Sequence, residues 1–454
     1  MKGKSALMSG VAAVALVAFA QAGYAQKSGS DSMSNSSPAP MAQPAQSGPT
    51  NEELSARIDA LEAELQQSEV REAADHDAIA GWQPSSGWWD NTSISGRMYF
   101  DFSDITNKNN GTANVQDGDH FDVKRFYIGI DHKFDDVWSA NVTTDFTYDT
   151  SQCDGVTAGP PASCSSTGAS ATQLYIKKAY LQGKFADWFV VRAGAFDMPW
   201  IPFAEDAYGY RYVENTLIDR LKLGNSADWG FNVSGAFGDD LKFEYSLAAI
   251  NGAGYKKPGF GLGTNRSKGM DFEGRVDVKY EGFIVAVGGY SGTLGKDLGG
   301  TTPTPAYHTY QRFDVLAAYV ANGFHVGVEY FTENSFNDIT TSTTGITDSG
   351  NGVSGFASYQ FTPEWALFGR YDSDSPTDGT AKNQPKYNND YYNVGIEWTP
   401  TKIVNLALVY KHDAGSDGQY TDSNGAIGGS SGGGTGNTTK GAYNEFGLFG
   451  QLRW

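Results

Sequence analysis

Apolar and polar residues take turns along most of the chain from Ser93 onward. In Asp271-Phe272-Glu273-Gly274-Arg275-Val276-Asp277-Val278-Lys279-Tyr280 every odd position is charged and every even one is not. In Phe324 to Tyr330, Phe324, Val326, Val328 and Tyr330 stand against His325 and Glu329. Successive side chains of a strand point to opposite faces, so period two predicts strands with one oily and one polar face. About sixteen such segments follow one another, the first near 93–103 and the last at 442–454. In the last, Phe446, Leu448, Leu452 and Trp454 alternate with Glu445, Gly447, Gln451 and Arg453. A terminal strand of this kind can close a cylinder against the first strand, with Trp454 at a membrane interface, where indole rings are favoured. The pattern predicts an all-β fold over 90–454: a sixteen-stranded antiparallel transmembrane β-barrel.

The connections alternate in length. Asp135-Asp136, Ala186-Asp187, Gly238-Asp239, Glu281-Gly282, Asn322-Gly323, Thr362-Pro363 and Thr399-Pro400-Thr401 are short turns, several with hairpin chemistry. Between them lie long polar loops near 104–121, 150–170, 197–227, 251–267, 294–307, 334–349, 374–388 and 414–441. Short turns at one rim and long loops at the other are the plan of an outer-membrane barrel. No period of 40 to 50 residues or so marks a propeller. The inward face is charged in strand after strand, and unpaired charge cannot be buried dry. The expectation is a lumen filled with water.

Composition changes this picture little. Mean hydropathy is -0.42 over 454 residues, and no run of about 18 apolar residues follows residue 20, which excludes a helical span there. Aromatics at 13% and 56 glycines suit many strands joined by permissive turns. A formal charge of -19 argues against a nucleic-acid partner.

The N-terminal part reads differently. Residues 1–25 have the form of a signal peptide: Lys2 and Lys4, an apolar stretch from Ala6 to Ala20, and Gly23-Tyr24-Ala25 as cleavage site. A Ser/Pro/Ala/Gln-rich disordered linker is expected over 26–50. In 51–80, Leu54, Ile58, Leu61 and Leu65 follow the 4-3-4 spacing of a short coiled-coil helix, placed in the periplasm. Cys153 and Cys164 lie close together in a Gly/Ser/Pro-rich stretch, and in an exported chain a disulfide clipping one loop is expected. No C-x-x-C or H-E-x-x-H motif and no G-x-S-x-G elbow occurs, and the six histidines are scattered, so no metal, cofactor or catalytic site is expected.

Three stretches carry a resemblance. Phe121-Asp122-Val123-Lys124-Arg125-Phe126-Tyr127-Ile128-Gly129-Ile130 resembles the basic-pair strand of the phosphate-selective porin O/P family, and Gly194-Ala195-Phe196-Asp197-Met198-Pro199-Trp200 its fifth strand running into an inward loop. Phe449 to Trp454 resembles its terminus. The resemblance implies a homotrimeric channel in the outer membrane of a Gram-negative bacterium, in contact with membrane lipid and lipopolysaccharide, passing small anions such as phosphate along basic residues.

On this reading the candidates for pore lining and constriction are Arg97, Lys124, Arg125, Arg192, Glu205, Asp206, Arg211, Glu214, Arg220, Arg275, Arg312 and Arg370. The stretch from Asp197 to Ala227 is expected to fold inward and narrow the channel against a basic patch near Arg125 and Arg192. Inward acids nearly balance inward bases, so a general pore, or one preferring cations or sugars, competes with an anion channel. A tethering role of the N-terminal helix in the cell envelope is compatible with either, and a barrel-embedded hydrolase is a further alternative.

Overall fold

The computed structural model describes residues 87–109, 112–113, 117–148, 172–257, 266–298, 304–340, 348–376, 387–428 and 440–454. The expected signal peptide, linker and coiled coil, and Cys153 and Cys164, lie outside the described residues.

Sixteen long strands form the wall. They are β1 (Thr92–Asn109), β2 (Gly118–Lys133), β3 (Trp138–Tyr148), β4 (Thr172–Ala186), β5 (Phe189–Asp197), β6 (Ala227–Phe237), β7 (Lys242–Ile250) and β8 (Asp271–Tyr280). The second half comprises β9 (Phe283–Gly292), β10 (Tyr310–Ala321), β11 (Phe324–Asn334), β12 (Ser349–Gln360), β13 (Trp365–Ser375), β14 (Asn388–Thr401), β15 (Val404–Ser416) and β16 (Lys440–Arg453). Each pairs antiparallel with its neighbours in sequence, and β16 returns to β1 in a register running from Arg97↔Arg453 to Asn109↔Gly441. The sheet is a closed antiparallel barrel with no free edge, which is what lets strands cross a bilayer with every backbone group paired.

Local chemistry accounts for the tight rim. At Asn322-Gly323 and Glu281-Gly282 both turn residues have positive φ (53° and 79°, 46° and 87°), the two-residue turn whose twist matches that of the strands. Just above these turns aromatic rings pair across strands: Phe324 with Tyr359 (4.4 Å), Phe283 with Tyr319 (4.8 Å) and Trp365 with Trp398 (6.0 Å). They form part of an exposed aromatic girdle, above which Val276, Val285, Val326, Val328, Leu367, Val394 and Leu408 present an apolar exterior suited to hydrocarbon.

The register shifts at four places along the described wall, and two of these shifts bear on the lumen. The β1–β2 register shifts between Tyr99 and Phe100, where Tyr99 pairs with Arg125 and Phe100 with Val123. Lys124 is the extra residue of this bulge, and its ammonium lies 3.3 Å from the buried Asp101. A second shift between Thr143 and Thr144 leaves Lys177 as the extra residue, its ammonium 4.7 Å from the Tyr127 ring. A bulge lets two neighbours share a face. The wall also differs in extent: β1 runs to Asn109 rather than ending near 103, and the last long loop contains a small hairpin, Gln419–Asp422 with Gly425–Gly428.

The expectation of a wholly wet interior needs correction. A large part of the lumen is packed: Trp200, Ile201, Tyr212, Leu217, Ile218 and Leu221 of the inward loop are buried against Leu316, Phe331, Phe356, Phe368, Val409 and Phe449 of the wall. Charged wall residues survive there because they are paired, as described next.

Candidate functional site

The loop joining β5 to β6 enters the barrel and builds two short helices, α1 (Ile201–Tyr208) and α2 (Leu217–Arg220). Pro202 sits in the first turn of α1, where its missing N–H costs nothing, and Gly209 ends it in the left-handed conformation (φ 81°). So short a helix depends on the face it buries. The Trp200 indole donates to Glu329 (2.8 Å) and its backbone N–H to Glu273 (2.9 Å), over a wall position, Gly288, where a Cβ would stand 2.5 Å from the ring. Further on, Tyr210 stacks on Phe368 (4.1 Å) and Tyr212 donates to Glu397 (2.7 Å).

One cation of the loop and three of the wall seat the loop on an acidic wall. Arg220, 0% exposed, is held by Asp372 (2.9 Å), Asp374 (2.5 Å), Asp413 (3.3 Å) and Asp422 (2.8 Å), with Asn389 at 3.0 Å. Arg370 pairs with Asp372 (2.6 Å) and donates to the Asn215 carbonyl, while Arg312 pairs with Asp314 (2.9 Å) and Glu273 (3.2 Å) and donates to the Leu223 carbonyl (3.0 Å). Lys411 joins Glu214 (3.4 Å) to Glu445 (3.0 Å). Burial opposes ionisation of Glu214, but Lys411, Lys124 and the Ser423 hydroxyl outweigh it and hold its carboxyl at about 2. The 419–428 hairpin caps the assembly, with Tyr420 donating to the Leu221 carbonyl (2.6 Å). Arg220, Arg312 and Arg370, expected along the water path, are thus withdrawn into dry ion-pair networks beneath the loop.

What remains open lies along the other wall. An outer cavity of ≈ 860 Å³ faces the long loops and is lined by Lys124, Arg125, Arg211, Lys222, Lys256, Lys257 and Lys296 against Asp122, Glu214 and Asp219. An inner one of ≈ 380 Å³, reaching the short-turn residue Asp187, is lined by Arg192, Arg275 and Lys279 against Asp187, Asp206 and Glu244. Arg125 and Arg192, expected in one patch, line separate cavities.

Between the two cavities the loop turns its charged face to the wall. Arg211 bridges Glu205 (2.5 Å) and Asp219 (3.1 Å). Burial raises the Glu205 carboxyl against the pull of Arg211 and of Lys177 on β4. Asp206 is raised for the same reason, opposed first by Arg97 on β1. Arg125 is tied to the buried Asp145 (2.9 Å), whereas Arg97 is exposed and touches only the Tyr99 hydroxyl among the hydrogen-bonding groups described (3.3 Å).

Lys177, Lys256, Lys257 and Lys296 were not among the sequence candidates. For the first three the one visible signal is doubling: Lys177-Lys178 and Lys256-Lys257 repeat the adjacent bases of Lys124-Arg125, while Lys296 stands alone. Strict parity admits only one of each pair to the lumen.

This geometry has solved counterparts. The anion-selective porin from Comamonas acidovorans superposes with a TM-score of 0.51 at 10% identity, over 80% of this chain and 100% of that one. This is a porin fold. Outer-membrane expressed OmpT of Vibrio cholerae matches with a TM-score of 0.50 at 12% identity, over 80% of this chain and 97% of the other. No protein-family model and no curated protein matches the sequence. At such identities the likeness is one of porin architecture, and the charges in the lumen have to be read from this chain alone.

Proposed function

We propose that the protein is an outer-membrane porin: a water-filled channel through which small hydrophilic solutes diffuse passively, with small anions such as phosphate preferred. One observation carries the reading. The inward loop covers the acidic side of the lumen, where Arg220 of the loop and Arg312, Arg370 and Lys411 of the wall pair with its carboxylates, while the remaining path enters through a cavity with seven cationic side chains and three acidic ones. Fixed charge beside a narrow, partly desolvated path acts strongly on a passing ion. A closed barrel with an apolar exterior supports placement in a bilayer, in contact with lipid and lipopolysaccharide. Homotrimers and a periplasmic N-terminus belong to the same reading and rest on the family resemblance.

The deciding measurement is the reversal potential of the full-length protein in planar bilayers under a salt gradient, with phosphate added as competitor. A potential of the sign set by anions, and block by phosphate, is expected; a cation-selective potential refutes the preference. A second reading, a pore for cations or neutral sugars, is favoured by Glu205, Asp206 and Asp219 on the loop face. It predicts the opposite sign or none. Deleting Thr50 to Asp77 and measuring oligomer size tests the tethering and assembly role of the N-terminal segment.

A further inference from the structure

The connection between β11 and β12, at the long-loop rim, holds acidic groups that a channel does not use. Asp338 is 2% exposed and Asp348 4%. Asp348 Oδ2 accepts the Asn337 N–H at 2.8 Å, and its backbone carbonyl accepts the Ser335 N–H at 2.9 Å. Asp348 Oδ1 and both carboxylate oxygens of Asp338 have no hydrogen-bond partner. The two carboxyls face each other: burial raises that of Asp348, and the charge of Asp338 adds to the rise. A proton shared between them satisfies one oxygen of each; with both ionised they only accept, neither satisfies the other, and a cation has to take the proton's place. Bare buried oxygens of this kind are rare in folded proteins and call for a missing donor or ion.

Lys296 does not fill the role. From the β9–β10 loop it feels the charges of Asp348, Glu333 and Asp338, yet its ammonium forms no ion pair with either aspartate; it donates to the Phe336 carbonyl and lies 4.4 Å from the Phe336 ring. A second acidic group makes the contrast plain. Asp101, His120 and Glu445 offer ligand atoms within 4.8 Å of one another, but Lys124 (3.3 Å) and Lys411 (3.0 Å) already pair with the two carboxylates.

We propose that Asp338 and Asp348 are ligands of a divalent cation of the calcium type, bound in the β11–β12 loop. The ligand set is all oxygen, with neither sulfur nor imidazole, which suits a hard cation. Calcium accepts irregular shells completed by carbonyls and water, whereas magnesium holds to a tight octahedron and keeps its own water. Bound there, the ion would pin a loop whose Ile339 is fully buried beside Tyr290 and Tyr310 and whose Phe336 lines the outer cavity. The inference stands on this loop alone, whichever solutes the channel passes.

The test uses full-length protein refolded in detergent without lipopolysaccharide, stripped with chelator and titrated with calcium chloride by calorimetry and by thermal unfolding. One saturable site per chain is expected, with a midpoint on the order of 0.1–1 mM, and a rise in Tm that follows its occupancy. Asp338→Asn should lose the calcium-dependent rise while being at least as stable as the parent in chelator, because its amide can donate to Asp348. Asp239→Asn, in an exposed turn at the opposite rim, should keep the response. A parent protein indifferent to calcium up to about 10 mM would overturn the proposal, as would an undiminished response in Asp338→Asn. Terbium luminescence of the parent, reversed by calcium, checks the site without any variant.

Discussion

The two sides of the lumen are built from the same residue types and end in opposite states. On β8 to β15, Glu273, Arg312, Asp314, Glu329, Arg370, Asp372 and Asp413 are buried under the inward loop and hold it. Along β1 to β5, Arg97, Lys124, Arg125, Lys177 and Arg192 keep some contact with open space. Bulges at Lys124 and Lys177 set the open side apart only locally, and the main difference does not lie in the strands. It lies in what covers them: a charge is structural where the loop brings a counter-charge and excludes water, and available to solutes where it does not.

Arg220→Met should break the first side most severely. It leaves Asp372, Asp374, Asp413 and Asp422 without their shared cation, and breaking a buried pair costs about 3–5 kcal/mol. Thermal unfolding should show that loss, and conductance should become noisy or larger as the loop leaves the wall. Adding Asp374→Asn and Asp422→Asn to it should restore part of the stability. If Arg220→Met alone is silent, the cage does not hold the loop.

Gly288→Ala probes the same side by shape alone. Its new methyl would meet the Trp200 ring, and overpacking of this kind costs about 1–3 kcal/mol. The expected result is a lower Tm with ion selectivity changed only through the loop's position.

On the open side the order of effects reverses. Arg97→Ala and Lys177→Ala should shift the reversal potential toward cations while moving stability by less than about 1 kcal/mol, because neither is the sole partner of a buried acid. Arg125→Ala should do both, since it strands Asp145. Equal selectivity in all three variants would remove these residues from the ion path.

The smallest effect is that of pH. Glu205 and Asp206 are raised above ordinary carboxylates, so as pH falls they accept protons ahead of an ordinary exposed carboxylate. Loss of negative charge from the loop face should increase anion preference as pH drops toward the carboxylate range. The sign is checked by reversal potentials at two pH values; a drift toward cations would place those carboxylates off the path.

Much of this was legible in the chain. Asp271 to Tyr280 shows its two faces without help, Asn322-Gly323 announces its turn, and the length of Asp197 to Ala227 marks an element too long for a rim connection. Lys177 was hidden because a bulge shifts parity by one, and nothing in a single strand says where its partner slips. Arg220, Arg312 and Arg370 were misplaced for another reason: strand pattern separates inside from outside but cannot tell wet from dry.

Alternation, turn chemistry and loop length are properties of neighbouring residues, and the backbone turns them into a cylinder with an oily exterior and a charged interior. Which of those interior charges meet solutes was decided only when Arg220 reached Asp372, Asp374, Asp413 and Asp422, more than 150 positions further along. Contacts of that span depend on how the closed barrel folds its loop inward, because the energy of a charge is set by the groups and the water around it rather than by its place in the chain.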